Sequence, residues 1–168
     1  MDVVEEFLTQ TPWWVWVLFA WVIHRGWKAR RARESSLRKT GMLPAILAVA
    51  GIIQLVYLFG VRAETVAVWL GGLVVGAIIG RRLLRDAPIT ADRARGVLML
   101  PPDRALLPIL LLLFAGKFAF GAFDAISAEE LAASDLGLVE LAFTGFTTGL
   151  LAGRFWVYLT RYLAAPRA

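Results

Sequence analysis

The sequence predicts an all-α membrane protein of five transmembrane helices. Spans two–three and four–five are two parallel copies of one helical hairpin, and a small β-hairpin lies on the cytoplasmic side. Three observations predict this class. Of 168 residues, 59% are hydrophobic and 18% charged, and the mean hydropathy is +0.67. Soluble domains average about 45–50% apolar and about 25% charged, so residues 1–168 are read as one domain of packed spans. Lysine and arginine gather in two stretches of the chain. A Gly-x-x-x-Gly-x-x-x-Gly-Arg run occurs twice.

Residues 1–10 are acidic and lack Lys and Arg. Val3, Val4, Phe7 and Leu8 recur at helical spacing, the pattern of a short helix lying in the interface. A signal peptide needs a positive first region and a small-residue cleavage site. Neither is found, so the first apolar stretch is read as a retained span, residues 12–24. Thr11 suits its N-cap and Pro12 its first helical position. A basic loop follows, then span two over residues 42–60. Its 19 residues would extend about 28 Å, close to the bilayer core. Arg62 and Glu64 mark a short turn before span three, residues 65–80. A polar insert occupies residues 86–104. Span four covers residues 105–123, an acidic connection residues 124–135, and span five residues 136–153.

Residues 25–41 carry seven Lys and Arg, residues 81–104 carry six, and the opposite side carries Arg62 alone. The positive-inside rule then places the N-terminus outside and the C-terminus in the cytoplasm. The net charge of +5 is thus mostly topology. It indicates no nucleic-acid partner, but leaves attraction to anionic lipid headgroups at the basic loops. Trp13, Trp14, Trp16, Trp27, Trp156, Tyr158 and Tyr162 fall near span ends, as interfacial aromatic belts do.

Gly72, Gly76, Gly80 and Arg81 of span three align with Gly145, Gly149, Gly153 and Arg154 of span five at a constant offset of 73 residues. Leu43-Pro44 and Leu107-Pro108 open spans two and four. Both hairpins leave the cytoplasm and return to it, so the repeat is parallel. Glycine at i, i+4 and i+8 strips a helix face to backbone and predicts close helix contact. A substrate-lining face is the sharper alternative. Arg154, like Arg81, is expected to snorkel to the inner interface.

Within the insert, residues 89–92 and 97–100 are strand-like, and residues 93–96 suit a turn in which Gly96 takes a positive φ. Pro88, Pro101 and Pro102 stop the flanking helices. An isolated hairpin is marginal in water, so it must pack on the membrane surface, the basic loop or a partner chain.

The stretch Gly80-Arg81…Ile89…Asp92…Gly96-Val-Leu-Met-Leu100-Pro101…Leu107-Pro108…Phe114…Lys117 resembles a family of small, uncharacterised bacterial inner-membrane proteins, a domain of unknown function. Thr11-Pro12 before a Trp-rich span and a basic loop before Leu43-Pro44 extend the resemblance along nearly the whole chain. Where that family often has Gly-Ser-Trp, this chain has Pro102-Asp103-Arg104. A looser resemblance, in span order and hairpin placement, is to the CcdC-like membrane proteins. The resemblance implies a multi-span inner-membrane protein and carries no activity.

Ionisable groups inside spans are the default functional candidates. Lys117 lies twelve residues into span four, too deep to reach the cytoplasm. Glu140 lies one turn into span five, Asp124 seven residues after Lys117, and Gln54 at comparable depth. These four are predicted to form an intramembrane polar cluster, with Glu140 the first partner of Lys117 and Asp124 the second. Thr144, Thr147 and Thr148 add hydroxyls. The cluster reads as a buried ion pair that fixes the bundle, as outward snorkelling of Lys117, or as a site for a proton, ion or headgroup. His24 reads as a polar cap. With no Cys and one His, thiolate metal sites, iron–sulfur clusters and thiol nucleophiles are excluded. HExxH, GxSxG and GxxxxGK[ST] are absent. Asp86, Asp92 and Asp103 sit among arginines and read as surface-paired. No enzyme, cofactor or metal is predicted. The expected function is a non-catalytic membrane component acting through helix packing and contacts with a homodimer mate or a membrane-protein partner. A small transporter or channel component is the alternative, and a lipid-acting enzyme a weaker third.

Overall fold

The computed structural model describes residues 13–166 except Ala94, Ala133 and Ser134; the side chains of Trp14 and of residues 122–134 also lie outside the description. The expectations for residues 1–10, Thr11 and Pro12 therefore fall outside the described residues. The elements run α1 (Trp13–Lys28), β1 (Arg33–Ser36), α2 (Leu37–Gln54) with a π-helical turn (Leu55–Phe59), α3 (Ala63–Leu84), β2 (Thr90–Asp92), β3 (Val97–Leu100), α4 (Leu106–Ala132) and α5 (Asp135–Ala164).

Three helices are long and apolar enough to cross a membrane: Leu37–Phe59, Ala63–Leu84 and Asp135–Ala164. The other two expected spans are not among them. Helix α1 has 16 residues, about 24 Å, and the apolar run described in α4 is Leu106–Gly121. The three long helices differ in burial. Within the most apolar stretch of α5, 61% of residues are buried, against 22% in α2 and in α3. Helix α5 is thus the central post. Helix α3 packs along it, α2 and α4 flank it, and α1 packs on α4. The outer faces of α2 and α3 leave Val49, Ile53, Val56, Val74, Val75 and Ile78 exposed. An apolar surface of that extent is the mark of a lipid or protein contact.

Several element boundaries depart from the sequence expectation. Helix α2 starts at Leu37, five residues early, because the Ser36 hydroxyl accepts from the Lys39 N–H (3.4 Å) and caps it. Pro44 therefore lies inside α2, while Pro108 sits in the first turn of α4, where its missing N–H costs nothing. The acidic connection expected from residue 124 is helical as far as Ala132. No Gly or Pro interrupts residues 122–136, and Ala, Leu and Glu propagate a helix readily. Helix α5 continues to Ala164 rather than ending near Gly153, so it is about 45 Å long and projects beyond a bilayer core of about 30 Å.

The repeated glycines explain the tightest helix pair. A Cβ on Gly72, Gly76 or Gly80 would strike the carbonyl oxygen of Ala142, Phe146 or Leu150 respectively; on Gly145, Gly149 or Gly153 it would strike that of Trp69, Leu73 or Ala77. Residue numbers rise together on both helices, so α3 and α5 are parallel. Trp69 and Ala142 stand at the same 73-residue offset as Gly72 and Gly145, so the two faces interlock about a pseudo-two-fold axis. Each glycine presents a Cα hydrogen to a carbonyl, a contact available only where no side chain intervenes.

The expected hairpin is one edge of a three-stranded antiparallel sheet ordered β1-β3-β2. Leu100 pairs with Arg33 and Val97 with Ser36 on one side; Met99 pairs with Thr90 and Val97 with Asp92 on the other. Gly96 takes the predicted positive φ, +66°. The third strand comes from the basic loop, which satisfies the outer edge of β3. Strand β3 alternates with period two: Leu98 and Leu100 are buried, Met99 exposed. The buried pair joins Leu84, Ile89, Val157 and Tyr158 in one core. The sheet thus sits on the part of α5 that extends past Gly153. Arg93 secures the same end, donating to the carbonyls of Leu163 (3.4 Å) and Ala165 (3.3 Å).

Candidate functional site

Helix α5 presents Glu140, Thr144, Thr147 and Thr148 at i, i+4, i+7 and i+8, one face of a helix. All four are buried. Two of the hydroxyls bond to their own helix: Thr144 donates to the Glu140 carbonyl (2.9 Å) and Thr147 to that of Phe143 (2.9 Å), whereas Thr148 donates to the Leu47 carbonyl of α2 (3.5 Å). This back-bonding satisfies a polar hydrogen in an apolar setting. The Thr144 oxygen keeps its lone pairs free to accept.

Two further helices complete the cluster. Lys117 of α4 donates from Nζ to the Gln54 Oε1 (2.9 Å) and to the Thr144 Oγ1 (2.5 Å), and lies 3.6 Å from the Glu140 Oε1. Gln54 of α2 donates from Nε2 to the same Glu140 oxygen. One ammonium and one carboxylate are therefore joined directly and through a bridging amide. The Glu140 side chain is 2% exposed and that of Lys117 33%. A carboxylate so deeply placed requires both a charge partner and hydrogen bonds. The arrangement supplies both.

The structure thus brings together Lys117, Glu140 and Gln54, three of the four residues assembled from the sequence. It adds Thr144 as a direct acceptor. The side chain of Asp124 lies outside the described residues. Gln54 is the last α-helical residue before the π-helical turn, and Leu55 and Phe59 of that turn pack with Trp69 and Leu141. Local widening of a helix is frequent where a side chain is held for a specific contact. Beside the cluster lies a space of about 30 Å³ between Leu47, Gln54, Lys117, Thr144 and Thr148. Such a space has room for ordered water.

A second buried charge departs from expectation. Arg154 does not snorkel outward; it is 2% exposed and forms an ion pair with Asp103. Asp103 in turn accepts at Oδ1 from the N–H groups of Ala105 (3.0 Å) and Leu106 (3.1 Å), and its own N–H donates to the Ala29 carbonyl (2.8 Å). Asp103 so links three helices, its N–H holding the end of α1 and its carboxylate the start of α4 and Arg154 of α5, where surface pairing is the sequence expectation. The available signal was Asp103 as an N-cap two residues before an apolar run. Nothing in the repeat separates Arg154 from Arg81, which is exposed. The difference arises because α5 is central and α3 peripheral. His24 is exposed near the C-terminal end of α1.

No family model, curated protein or solved structure matches this chain.

Proposed function

We propose that the protein is a multi-span bacterial inner-membrane protein and a non-catalytic membrane component. It acts through helix packing and through contacts with a membrane-protein partner or a second copy. In this reading α1 and α4 also cross the bilayer, giving five spans with the N-terminus outside and the C-terminus in the cytoplasm. The 13 basic residues in the two inner stretches against Arg62 outside support that orientation.

One observation carries the choice of a structural over a transporting role. The intramembrane charges close on one another, and the space beside them is about 30 Å³. A solute path between the repeats would need a cavity several times larger. A small transporter or channel component is the second reading, favoured by a single feature: a small water-sized space lined by Lys117, Gln54 and Thr144, the composition of a proton relay.

Two measurements test the proposal. Reporter fusions after Arg31 and after Val61 should report cytoplasm and exterior respectively; a cytoplasmic signal at Val61 overturns the orientation. Reconstituted in liposomes under a proton gradient, the protein should leave the gradient intact. Dissipation by the wild type that is lost in Lys117→Met would establish the relay instead.

A further inference from the structure

A cavity of about 330 Å³ opens where α1, β1, α2 and α5 meet. Arg25 and Lys28 reach it from α1, Arg33 from β1, Lys39 from α2 and Arg154 from α5. Five cationic groups thus converge on one hollow. The facing acidic groups are few. Glu34 lines the same wall but is drawn toward Arg95 at 3.6 Å. Asp103 approaches from an adjoining cavity of about 230 Å³ and is committed to Arg154 and the α4 N-terminus. Of the five cations, Arg154 alone has a carboxylate within ion-pair distance among the described residues.

Arg154 supplies an independent sign of a ligand. Its guanidinium is nine-tenths buried or more and lies against the Tyr158 hydroxyl as well as Asp103, yet Nη1 has no well-aligned hydrogen-bond partner among the described residues. The other arm, Nη2, holds Asp103. A buried N–H group left without an acceptor costs about 1–3 kcal/mol, more when charged. Folding tolerates that when a ligand supplies the acceptor. The guanidinium fork, the lysines, and the hydroxyls of Ser35 and Thr40 in the same wall are the donors that recognise phosphate oxygens.

The other walls are apolar. Leu43, Leu106, Leu110, Leu151 and Phe155 line the side toward the spans. The hollow is therefore cationic at its aqueous end and greasy at its membrane end. A phospholipid has the same polarity gradient, a phosphate above the root of its acyl chains.

We propose that this cavity binds a phosphate group, presented by an anionic phospholipid of the inner leaflet. The inference rests on the membrane reading above and deepens it: the headgroup would tie the basic loop, the sheet and the central helix to the lipid surface. A basic residue near an anionic surface contributes about 1 kcal/mol, so removing two lysines should weaken binding by tenfold or more.

The full chain in neutral detergent is titrated with phosphatidylglycerol, with phosphatidylcholine of the same chains, and with inorganic phosphate, reading apparent Kd by native mass spectrometry. Phosphatidylglycerol should bind at least tenfold tighter than phosphatidylcholine. Lys28→Gln/Lys39→Gln, two exposed positions outside the buried ion pairs, should abolish that preference while the unliganded melting temperature stays unchanged. Arg154→Lys, which keeps the charge for Asp103 but removes the fork, should weaken it as well. Saturation by inorganic phosphate that competes with the lipid supports the phosphate site and sets its minimal ligand. Saturation by inorganic phosphate with no lipid preference overturns the lipid source. Equal affinity for both lipids with no phosphate response overturns the site, as does a preference unchanged in both variants. If the protein stays in the membrane fraction through alkaline carbonate washing while this test fails, the membrane reading survives and the site alone is lost.

Discussion

Glu140 shows how much one residue can demand of its surroundings. A carboxylate with 2% of its side chain exposed needs a positive partner, and Lys117 is the cation of the described residues that reaches it. Gln54 makes the pair a network, because its amide both donates to Glu140 and accepts from Lys117. Removing one partner of a buried pair leaves an uncompensated charge and typically costs about 3–5 kcal/mol. With Lys117 one-third exposed, the low end of that range applies. We expect Lys117→Met and Glu140→Gln each to lower detergent stability, and the double variant to lose less than the sum of the two. Coupling of about 0.5–3 kcal/mol in a double-mutant cycle is the anticipated result. Strict additivity would show that the two residues do not interact. The sequence made Lys117 and Glu140 visible through depth alone, since ionisable groups are rare within apolar runs. It could not rank Gln54 as the bridge, because a neutral amide in a span carries no comparable signal.

Small differences of place along the elements decide large differences of tolerance. Gly71 and Gly72 are neighbours on α3, yet a Cβ at Gly71 meets nothing within contact distance and one at Gly72 meets the backbone of α5. Gly76 and Gly149 are equivalent positions on the two interlocked faces. Leucine at either must push backbone from backbone, which no rotamer change relieves. Overpacking typically costs about 1–3 kcal/mol, and a carbonyl obstacle places these at or above the upper end. Gly76→Leu and Gly149→Leu should each lower the detergent melting temperature markedly, and Gly71→Ala should leave it unchanged or raise it slightly. A wild-type melt in both leucine variants would show that the α3–α5 contact is not close. The spacing of these glycines was legible at once. That the two faces meet each other, rather than two different helices, was not, since a glycine run specifies close approach but not its partner.

On the scale of the molecule, α5 unites two layers. Its first half is the post of an apolar bundle, and its last ten or so residues carry the sheet through Val157 and Tyr158. Leu98, 0% exposed, is the inward knob of the central strand. Burying a carboxylate there breaks the sheet's hold on α5. Leu98→Asp should open the chain to trypsin near Arg93 and Arg95, with an estimated cost above about 3 kcal/mol. The Gly-stripe helices should remain helical by circular dichroism. Protection from trypsin equal to wild type would show that the sheet does not depend on this contact.

Composition and periodicity by themselves determined the helical class, the approximate places of the three long apolar helices, the turn at Gly96 and the paired glycine faces. These follow from local physics: apolar runs must be buried or lipid-facing, prolines stop helices, and glycine admits a positive φ. Tertiary structure decided what lies between elements. It placed a strand of the basic loop on the edge of β3, where a charged stretch such as Arg33–Ser36 has no apolar alternation to announce it. It carried α4 through an acidic stretch that polarity marks as a loop, because no residue there breaks a helix. It also separated Arg81 from Arg154, which hold the same place after the repeated glycines. Only the position of α5 at the centre of the bundle makes the second a buried charge, and burial is a property of neighbours that the residue's own sequence does not contain.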